Sequence, residues 1–357
     1  MLSLSPDALP PPEPQVYQDD DGWTSLKHSL EESPRTVLVV CDQNTQACCL
    51  PRLQDAGLPS ENMVVLQAGE ASKTLEGVQK IWNALLELQA DRNALVINLG
   101  GGMVSDLGGF AAATYKRGLA FVNIPTTLLA MVDAAYGGKT GINYGELKNT
   151  IGTFTQPAAI LLDAFFLQTL PKRALISGMA EMLKHGLMSD PDHWRALLAC
   201  TPEMMLEQIS YIRRSLDLKR HIVQQDFFEM GPRRALNLGH TVGHALESYS
   251  ARNDADPLWH GEAIAQGVQV EAHIAYQRLL LSRHELDEIL AGFSGLFEPY
   301  LLSRSAFPEL IAFMQQDKKN QRGLIHCALL DGLGCVWPSV PVHESEMERA
   351  LTAFFLP

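Results

Sequence analysis

Short apolar runs alternate with stretches of helical spacing over the first half of the chain. The runs are RTVLVVCDQN (35–44), NMVVLQAG (62–69), NALVINLGGG (93–102), AFVNIPTT (120–127) and AAILLDA (158–164). Each is short, mostly apolar and bounded by polar or glycine turn residues, which predicts buried strands. Between them TLEGVQKIWNALLELQA (74–90) places apolar residues at helical spacing with Glu and Lys elsewhere. Strands alternating with helices predict a parallel sheet covered on both faces. From about residue 170 the texture changes. PKRALISGMAEMLKHGLM (171–188) opens with a proline in its first turn, and 201–226, 260–282 and much of 284–318 read as further helices. The expected architecture is an irregular Pro-rich arm (1–15), an α/β domain with a Rossmann-like parallel sheet (16–168) and a mainly α-helical domain (169–357).

Composition narrows what such a chain can do. A length of 357 residues suits two domains. With 46% hydrophobic and 19% charged residues it can build large cores and does not read as disordered. A formal net charge of −13 argues against nucleic acid or an anionic membrane as partner, but a small anion needs only a local group of cations. No uninterrupted apolar run reaches the roughly 18 residues of a membrane span. The first basic residue is Lys27, so the start carries no charged leader region. Cys41, Cys48, Cys49, Cys200, Cys327 and Cys335 form no CxxC pair and fit reduced thiols. A soluble cytoplasmic protein is expected.

Four stretches carry candidate chemistry. NLGGGMVSDLGGF (98–110) follows a strand, and its glycines with the helix near Asp106 suit an anion such as a nucleotide phosphate. A tight strand-to-helix turn would use the same residues. Asp42 and Asn44 end the first strand, where open α/β sheets bind ligands, and could equally be turn formers. IPTTLLAMVDAAYGGKTGIN (124–143) and ELKNTIG combine Thr126, Thr127, Asp133, Lys139, Asn143, Lys148 and Asn149. Two lysines in a Gly-rich, otherwise apolar region suggest a phosphate or carboxylate grip, against plain surface lysines on a loop. In GMAEMLKHG (178–186), Glu181 and Lys184 share a helical face, as an ion pair or as a metal carboxylate beside a cation. In LNLGHTVGHALE (236–247), His240 and His244 lie one turn apart, and spacing alone makes them the natural metal pair. One carboxylate with two histidines is a catalytic zinc set that leaves a position open. The carboxylate candidates are Glu181 and Glu247; His260, at a helix start, is the third histidine.

Seven segments together resemble the 3-dehydroquinate synthases. They are GGGMVSDLGGFAAATYKRG, IPTTLLAMVDAAYGGKTGIN, LKNTIGTFTQP, GMAEMLKHGL, RRALNLGHTVGHALE, WHGEAIAQG and DKKNQRG, in family order between about 37 and 335. The resemblance implies Glu181, His240 and His260 as ligands of zinc or cobalt, which divides the histidine pair. It gives His244 a place near the substrate phosphate, in the proton transfer of elimination. It implies Asp42, Asn44, Glu70, Lys73, Gly101, Gly102, Asp106, Thr126, Thr127, Lys148 and Thr169 for NAD. It implies Asp133, Lys139, Asn149, Lys184, Lys219, Arg233, Asn237 and one of Lys318 and Lys319, with Lys319 preferred, for substrate. Arg117 matches an arginine that reaches a neighbouring subunit's substrate, implying a homodimer.

The implied substrate is a small anionic sugar phosphate, 3-deoxy-D-arabino-heptulosonate 7-phosphate. The implied reaction runs through transient oxidation by NAD, β-elimination of phosphate, reduction and an intramolecular aldol, giving 3-dehydroquinate with NAD regenerated. Four positions depart from the family pattern: Ser105 for Gly, Ala134 and Ala135 for Ser-Ser, Leu238 for Phe, and Phe227 for an acidic residue. Ser105 would strain the turn if that position needs positive φ. The architecture also resembles glycerol dehydrogenases and iron-dependent alcohol dehydrogenases, which use Asp with two His. Glu181 and the Lys139, Lys148, Asn149 group argue against those. Related sugar-phosphate cyclases tend to alter the positions of Asn237 and His244, which here keep the dehydroquinate type. A catalytically dead paralogue would be expected to lose a ligand or a lysine, and none is lost.

Overall fold

The computed structural model describes residues 10–145, 147–315 and 324–356. The chain divides into two compact units, Met1–Thr169 and Leu170–Pro357. The strands of the first unit are β1 (Gln15–Gln18), β2 (Val37–Asp42), β3 (Met63–Leu66), β4 (Leu95–Gly100), β5 (Ala120–Pro125), β6 (Lys139–Tyr144), β7 (Leu147–Phe154) and β8 (Ala159–Leu162). Six form one sheet in the order β1-β8-β5-β4-β2-β3, and every pairing is parallel. Helices α1 (Asp19–Glu32), α2 (Gln43–Cys48), α3 (Leu50–Asp55), α4 (Leu75–Glu87) and α5 (Gly102–Thr114) complete the unit.

Burial explains the apolar runs. All six residues of β4 are buried, so its sequence has no polar face to alternate with. Helix α4 starts where the Thr74 side chain accepts from the Gly77 amide at 3.3 Å. Its Val78, Ile81 and Leu85 are fully buried in the core with Leu38, Val40 and Val96. Two features depart from expectation. Strand β1 adds an edge to the sheet right after the Pro-rich arm; its four residues are too few to show a period. The Gly-Lys region folds as an antiparallel hairpin, β6 with β7, whose second strand is almost wholly exposed and so carries no buried alternation.

The second unit holds α6 (Lys172–Ser189), α7 (Pro191–Leu198), α8 (Ile209–Gln225), α9 (His240–Asn253), α10 (His260–Gln277), α11 (Arg283–Ser294), α12 (Phe307–Gln315) and α13 (Glu344–Phe355). An antiparallel pair, β9 (Ile325–Leu330) and β10 (Val336–Val342), joins them. Helix α10 is buried nearly all round and forms the axis of the unit. Three glycines let α9 lie close against it. A Cβ at Gly267 would stand 2.0 Å from the Gly239 carbonyl oxygen.

Here too the pattern was coarser than the fold. The stretch 201–226 becomes helical only at Ile209, after a 3-10 turn at Met204–Leu206. The stretch 284–318 breaks into α11 and α12, with its last residues outside the described ones. Strand β10 alternates as a strand should, but Pro338 and Pro341 inside it mask the signal. No helix of the described residues is long and apolar enough to cross a membrane.

Candidate active site

Parallel strands deliver their carboxyl ends to one edge, and the expected cofactor residues follow those ends. Asp42 ends β2, Glu70 and Lys73 follow β3, Gly101 and Gly102 follow β4, Thr126 and Thr127 follow β5, and Thr169 follows β8. Strand order reverses between β2 and β4, the crevice where such sheets take ligands. Helix α5 opens there without a side-chain cap, leaving its first N–H groups for a ligand. Asp42 is the N-cap of α2, with Oδ1 accepting from the Thr45 amide at 2.9 Å, and Asn44 is exposed beside it. Thr127 Oγ1 accepts from the Ala130 amide at 3.1 Å, while the Thr126 amide donates to Gly100 at 3.0 Å. Thr169 donates to the Phe166 carbonyl at 2.7 Å.

Ser105 does not strain the turn. It lies inside α5 and is not among the positive-φ residues, and its hydroxyl donates to the Gly101 carbonyl at 3.2 Å. The residues of Gly100–Gly102 also avoid positive φ. Glycine is required at Gly100 by crowding: a Cβ there would stand 2.5 Å from Val104.

Lys73 is the centre of this edge. Its ammonium, 4% exposed, donates to Asp106 at 2.7 Å and to Asn149 Oδ1 at 2.5 Å, with Glu70 at 3.7 Å. Burial works against its charge, but Asp106 and Glu70 outweigh it and hold the ammonium above its ordinary value. Asn143, given no role from sequence, ties the cluster together. Its amide donates to the Lys73 carbonyl at 2.8 Å, its Nδ2 to Glu70 at 2.9 Å, and its Oδ1 accepts from the Asn149 amide at 2.9 Å. That bond supports Asn149 at φ 51°. The single sequence hint to Asn143 is its place in the motif of Lys139.

Asp133 sits in a π-helical turn, Ala130–Ala134, a local form common at functional sites. The buried Asn98–Asn123 bond (2.9 Å) anchors that turn, since Asn123 also donates to the Ala135 carbonyl at 3.0 Å. Lys139 and Lys148 are exposed on the hairpin. Arg117 is exposed on a 3-10 turn at φ 69°.

In the second unit, α6, α9 and α10 converge on a donor group. Ligand atoms of Glu181, His240 and His260 all lie within 4.8 Å of one another. Glu181 Oε1 stands 3.9 Å from His240 Nε2 and 3.7 Å from His260 Nε2. These gaps are too long for hydrogen bonds and near the roughly 3.4 Å that separates two donors on one tetrahedral ion. Glu181 is fully buried; its Oε2 ion-pairs with Lys184, and Oε1 has no hydrogen-bond donor among the described residues. A buried carboxylate oxygen facing two imidazole nitrogens is the donor chemistry a zinc or cobalt ion requires. No such donor group among the described residues contains both His240 and His244, so the pairing read from spacing alone does not form. The ring centroids of the two still lie 5.1 Å apart, and His244 is exposed. Glu247 Oε2 lies 3.6 Å from His260 Nδ1, behind the ring rather than in the Glu181 group.

The cations of this unit are held with care. Lys184, 1% exposed, donates to the Leu236 carbonyl at 2.8 Å besides its ion pair. Arg233, 2% exposed, donates to the Phe227 carbonyl and packs its guanidinium 5.9 Å from the Phe227 ring centre. Phe227 thus serves Arg233 with both its carbonyl and its ring. Asp226 shapes the loop, accepting from the amides of Met230, Gly231 and Arg233. Asn237 Nδ2 donates to Glu229 at 2.6 Å. Lys219 is buried on α8. Lys319 lies outside the described residues.

Sequence reasoning also missed Arg173 at the start of α6. It forks onto Glu262 at 2.6 and 2.8 Å and onto Asp256 at 2.7 and 2.9 Å, with its guanidinium 4.9 Å over the Trp259 ring. It clamps the segment that delivers His260.

Comparison with known proteins agrees across the chain. Residues 63–177 match the family model described as 3-dehydroquinate synthase N-terminal, and residues 178–320 the 3-dehydroquinate synthase C-terminal model. A 3-dehydroquinate synthase of Parabacteroides distasonis is 38% identical over 334 residues, covering 93% of each chain. One of Nitrosomonas europaea is 41% identical over 299 residues, covering 81% of this chain and 79% of its own. Among solved structures, 2-epi-5-epi-valiolone synthase of Streptomyces hygroscopicus, with NAD+ and Zn2+ bound, superposes with TM-score 0.84 at 28% identity, covering 97% of this chain and 98% of its own. An iron-containing alcohol dehydrogenase of Thermotoga maritima shares the fold alone, with TM-score 0.65 at 13% identity over 97% of this chain and 99% of its own. Matched in both halves and over most of its length, this chain belongs to the 3-dehydroquinate synthase family.

Proposed function

We propose that the protein converts 3-deoxy-D-arabino-heptulosonate 7-phosphate to 3-dehydroquinate and phosphate, with NAD and a zinc or cobalt ion as cofactors. The observation that carries this reading is the buried Glu181 carboxylate facing His240 and His260, with Lys184 beside it, in a chain of this family. Glu181, His240 and His260 would hold the ion; the Asp42–Thr169 set along the sheet edge would hold the dinucleotide. When bound, the ion supplies a Lewis acid for the substrate hydroxyls and NAD a reversible hydride acceptor.

The chain's own residues bind and position. Lys184, Arg233 and Lys219 neutralise a phosphate and a carboxylate, and their burial makes each contact count for more than a surface ion pair. Arg233 is held by the Phe227 carbonyl and ring, so it meets its anion with its geometry already set. Asn237 and Asn149 orient hydroxyls, and Lys73 donates to the Asn149 side-chain Oδ1. The imidazole of His244, exposed beside His240, passes a proton as phosphate leaves by β-elimination. The hydride taken is returned, so the sum is cleavage of a C–O bond to phosphate with no net oxidation, a carbon–oxygen lyase acting on a phosphate. We read the protein as a cytoplasmic homodimer: its cysteines are free thiols, and Arg117 is exposed where it could reach a partner's substrate.

The test is phosphate release from 3-deoxy-D-arabino-heptulosonate 7-phosphate with NAD and zinc, before and after chelation, with dehydroquinase coupled to report the ring product. Chelator-sensitive release matched by 3-dehydroquinate, with no net NADH, is expected. No release from metal-loaded, NAD-bound protein would sink the reading. Turnover of sedoheptulose 7-phosphate instead would move it to another sugar-phosphate cyclase.

A further inference from the structure

The geometry assigns Glu271 a role as the positioning residue of His240, acting through one peptide group, as a carboxylate–peptide–histidine relay. This rests on reading Glu181, His240 and His260 as metal ligands. Glu271 stands on α10, fully buried, and its Oε2 accepts from the Gly239 amide at 2.7 Å. The carbonyl of that same peptide unit, Leu238 O, lies 3.2 Å from His240 Nδ1. A carbonyl oxygen only accepts, so Nδ1 carries the proton. Nε2 is left with its lone pair, on the side of Glu181 Oε1 at 3.9 Å.

One rigid amide therefore joins the carboxylate to the imidazole. The peptide is planar and its N–H and C=O point in opposite directions. A negative charge at the N–H end draws electron density toward the carbonyl oxygen, strengthens its bond to Nδ1–H and enriches Nε2 as a donor. The surroundings hold the relay in place. Leu238 is fully buried, and Gly239 has φ 78° with space so tight that a Cβ would stand 2.5 Å from Val268. Gly239 is also the N-cap of α9, whose positive end favours the charge. His260 differs: its Nδ1 faces Glu247 directly at 3.6 Å.

Two variants test the relay in the whole protein. E271Q keeps the size and the acceptor but removes the charge; E271A removes both. Zinc affinity is read by competition with a chromophoric chelator, and the ligand field by the visible spectrum of the cobalt-loaded protein. E271A is expected to weaken zinc about 10- to 100-fold, as loss of a ligand's supporting partner does. E271Q should fall between the two, with an unfolding midpoint near that of the unmodified protein and a shifted cobalt spectrum. In an H240A background E271Q should cause no further loss of the residual affinity. Unchanged zinc affinity and cobalt spectrum in E271Q would overturn the relay, as would an equal loss in H240A, which would make Glu271 merely structural. If the unmodified protein holds no stoichiometric zinc, the metal reading fails and the relay with it, a result seen before any variant is made.

Discussion

Single residues show how burial sets chemistry in this protein. His193 on α7 is fully buried, with Nε2 2.8 Å from the Ser215 hydroxyl. Burial, helped by Arg214, lowers its pKa from 6.5 to about 4. Its folded-state pKa is therefore below the unfolded value, and the unfolded chain binds the extra proton first. Stability is whole above about pH 6.5 and is lost as pH falls toward about 4, by on the order of 3 kcal/mol for this group. Urea unfolding at pH 7.5 and 5 checks this: H193N should flatten the pH dependence, and an unchanged slope would clear His193 of the effect. The motif histidines were legible as residue types with metal chemistry; their division of labour came from the family resemblance and not from their spacing. His240 and His244 are one turn apart in sequence, yet it is His260, from the next helix, that faces Glu181. Spacing along one helix says nothing about what a second helix brings.

At the scale of elements, β2, β4, β5 and β8 could be read because nearly all their residues are buried, and β3 from its apolar run, while β1, the hairpin and β10 could not, because each is short, exposed or interrupted by proline. Helix starts were legible where a cap or proline marks them, as at α4 and α6. What links elements was invisible, and Arg173 is the case in point. Its side chain joins the first turn of α6 to Asp256 before α10 and to Glu262 in the first turn of α10. Arg173→Ala should cost about 1–3 kcal/mol of stability, since charged, forked hydrogen bonds are lost on a partly exposed side chain. It should also weaken metal binding by loosening His260. Arg173→Lys should recover only part, because an ammonium cannot make the fork. Thermal melts and a zinc titration of both variants decide it. Normal zinc affinity in Arg173→Ala would confine Arg173 to stability.

At the scale of the whole molecule, the acidic chain and its anionic substrate are reconciled by local concentration. The formal net charge is −13, yet Lys184, Lys219 and Arg233 are buried within one unit as a local group of cations. The proposed dimer belongs to this scale. Arg117→Ala should lose most activity while keeping metal and NAD, and mixing it with a variant inactive elsewhere, such as Lys184→Ala, should restore part of the activity through hybrid dimers. Full activity of Arg117→Ala would end the cross-subunit role. The sequence by itself determined the fold class, the family and the residue types of the site. Buried strands must be apolar, some helix starts are marked by a cap or a proline, and seven ordered motifs leave few alternatives. Only the tertiary structure decided that Ser105 sits unstrained inside a helix, that Asn143 bonds Glu70 and Asn149, that Arg173 bonds Asp256 and Glu262, and that Glu271 accepts from the Gly239 amide. Those contacts join residues far apart in the chain, and nothing in local periodicity encodes a hydrogen bond across 32 or 89 positions.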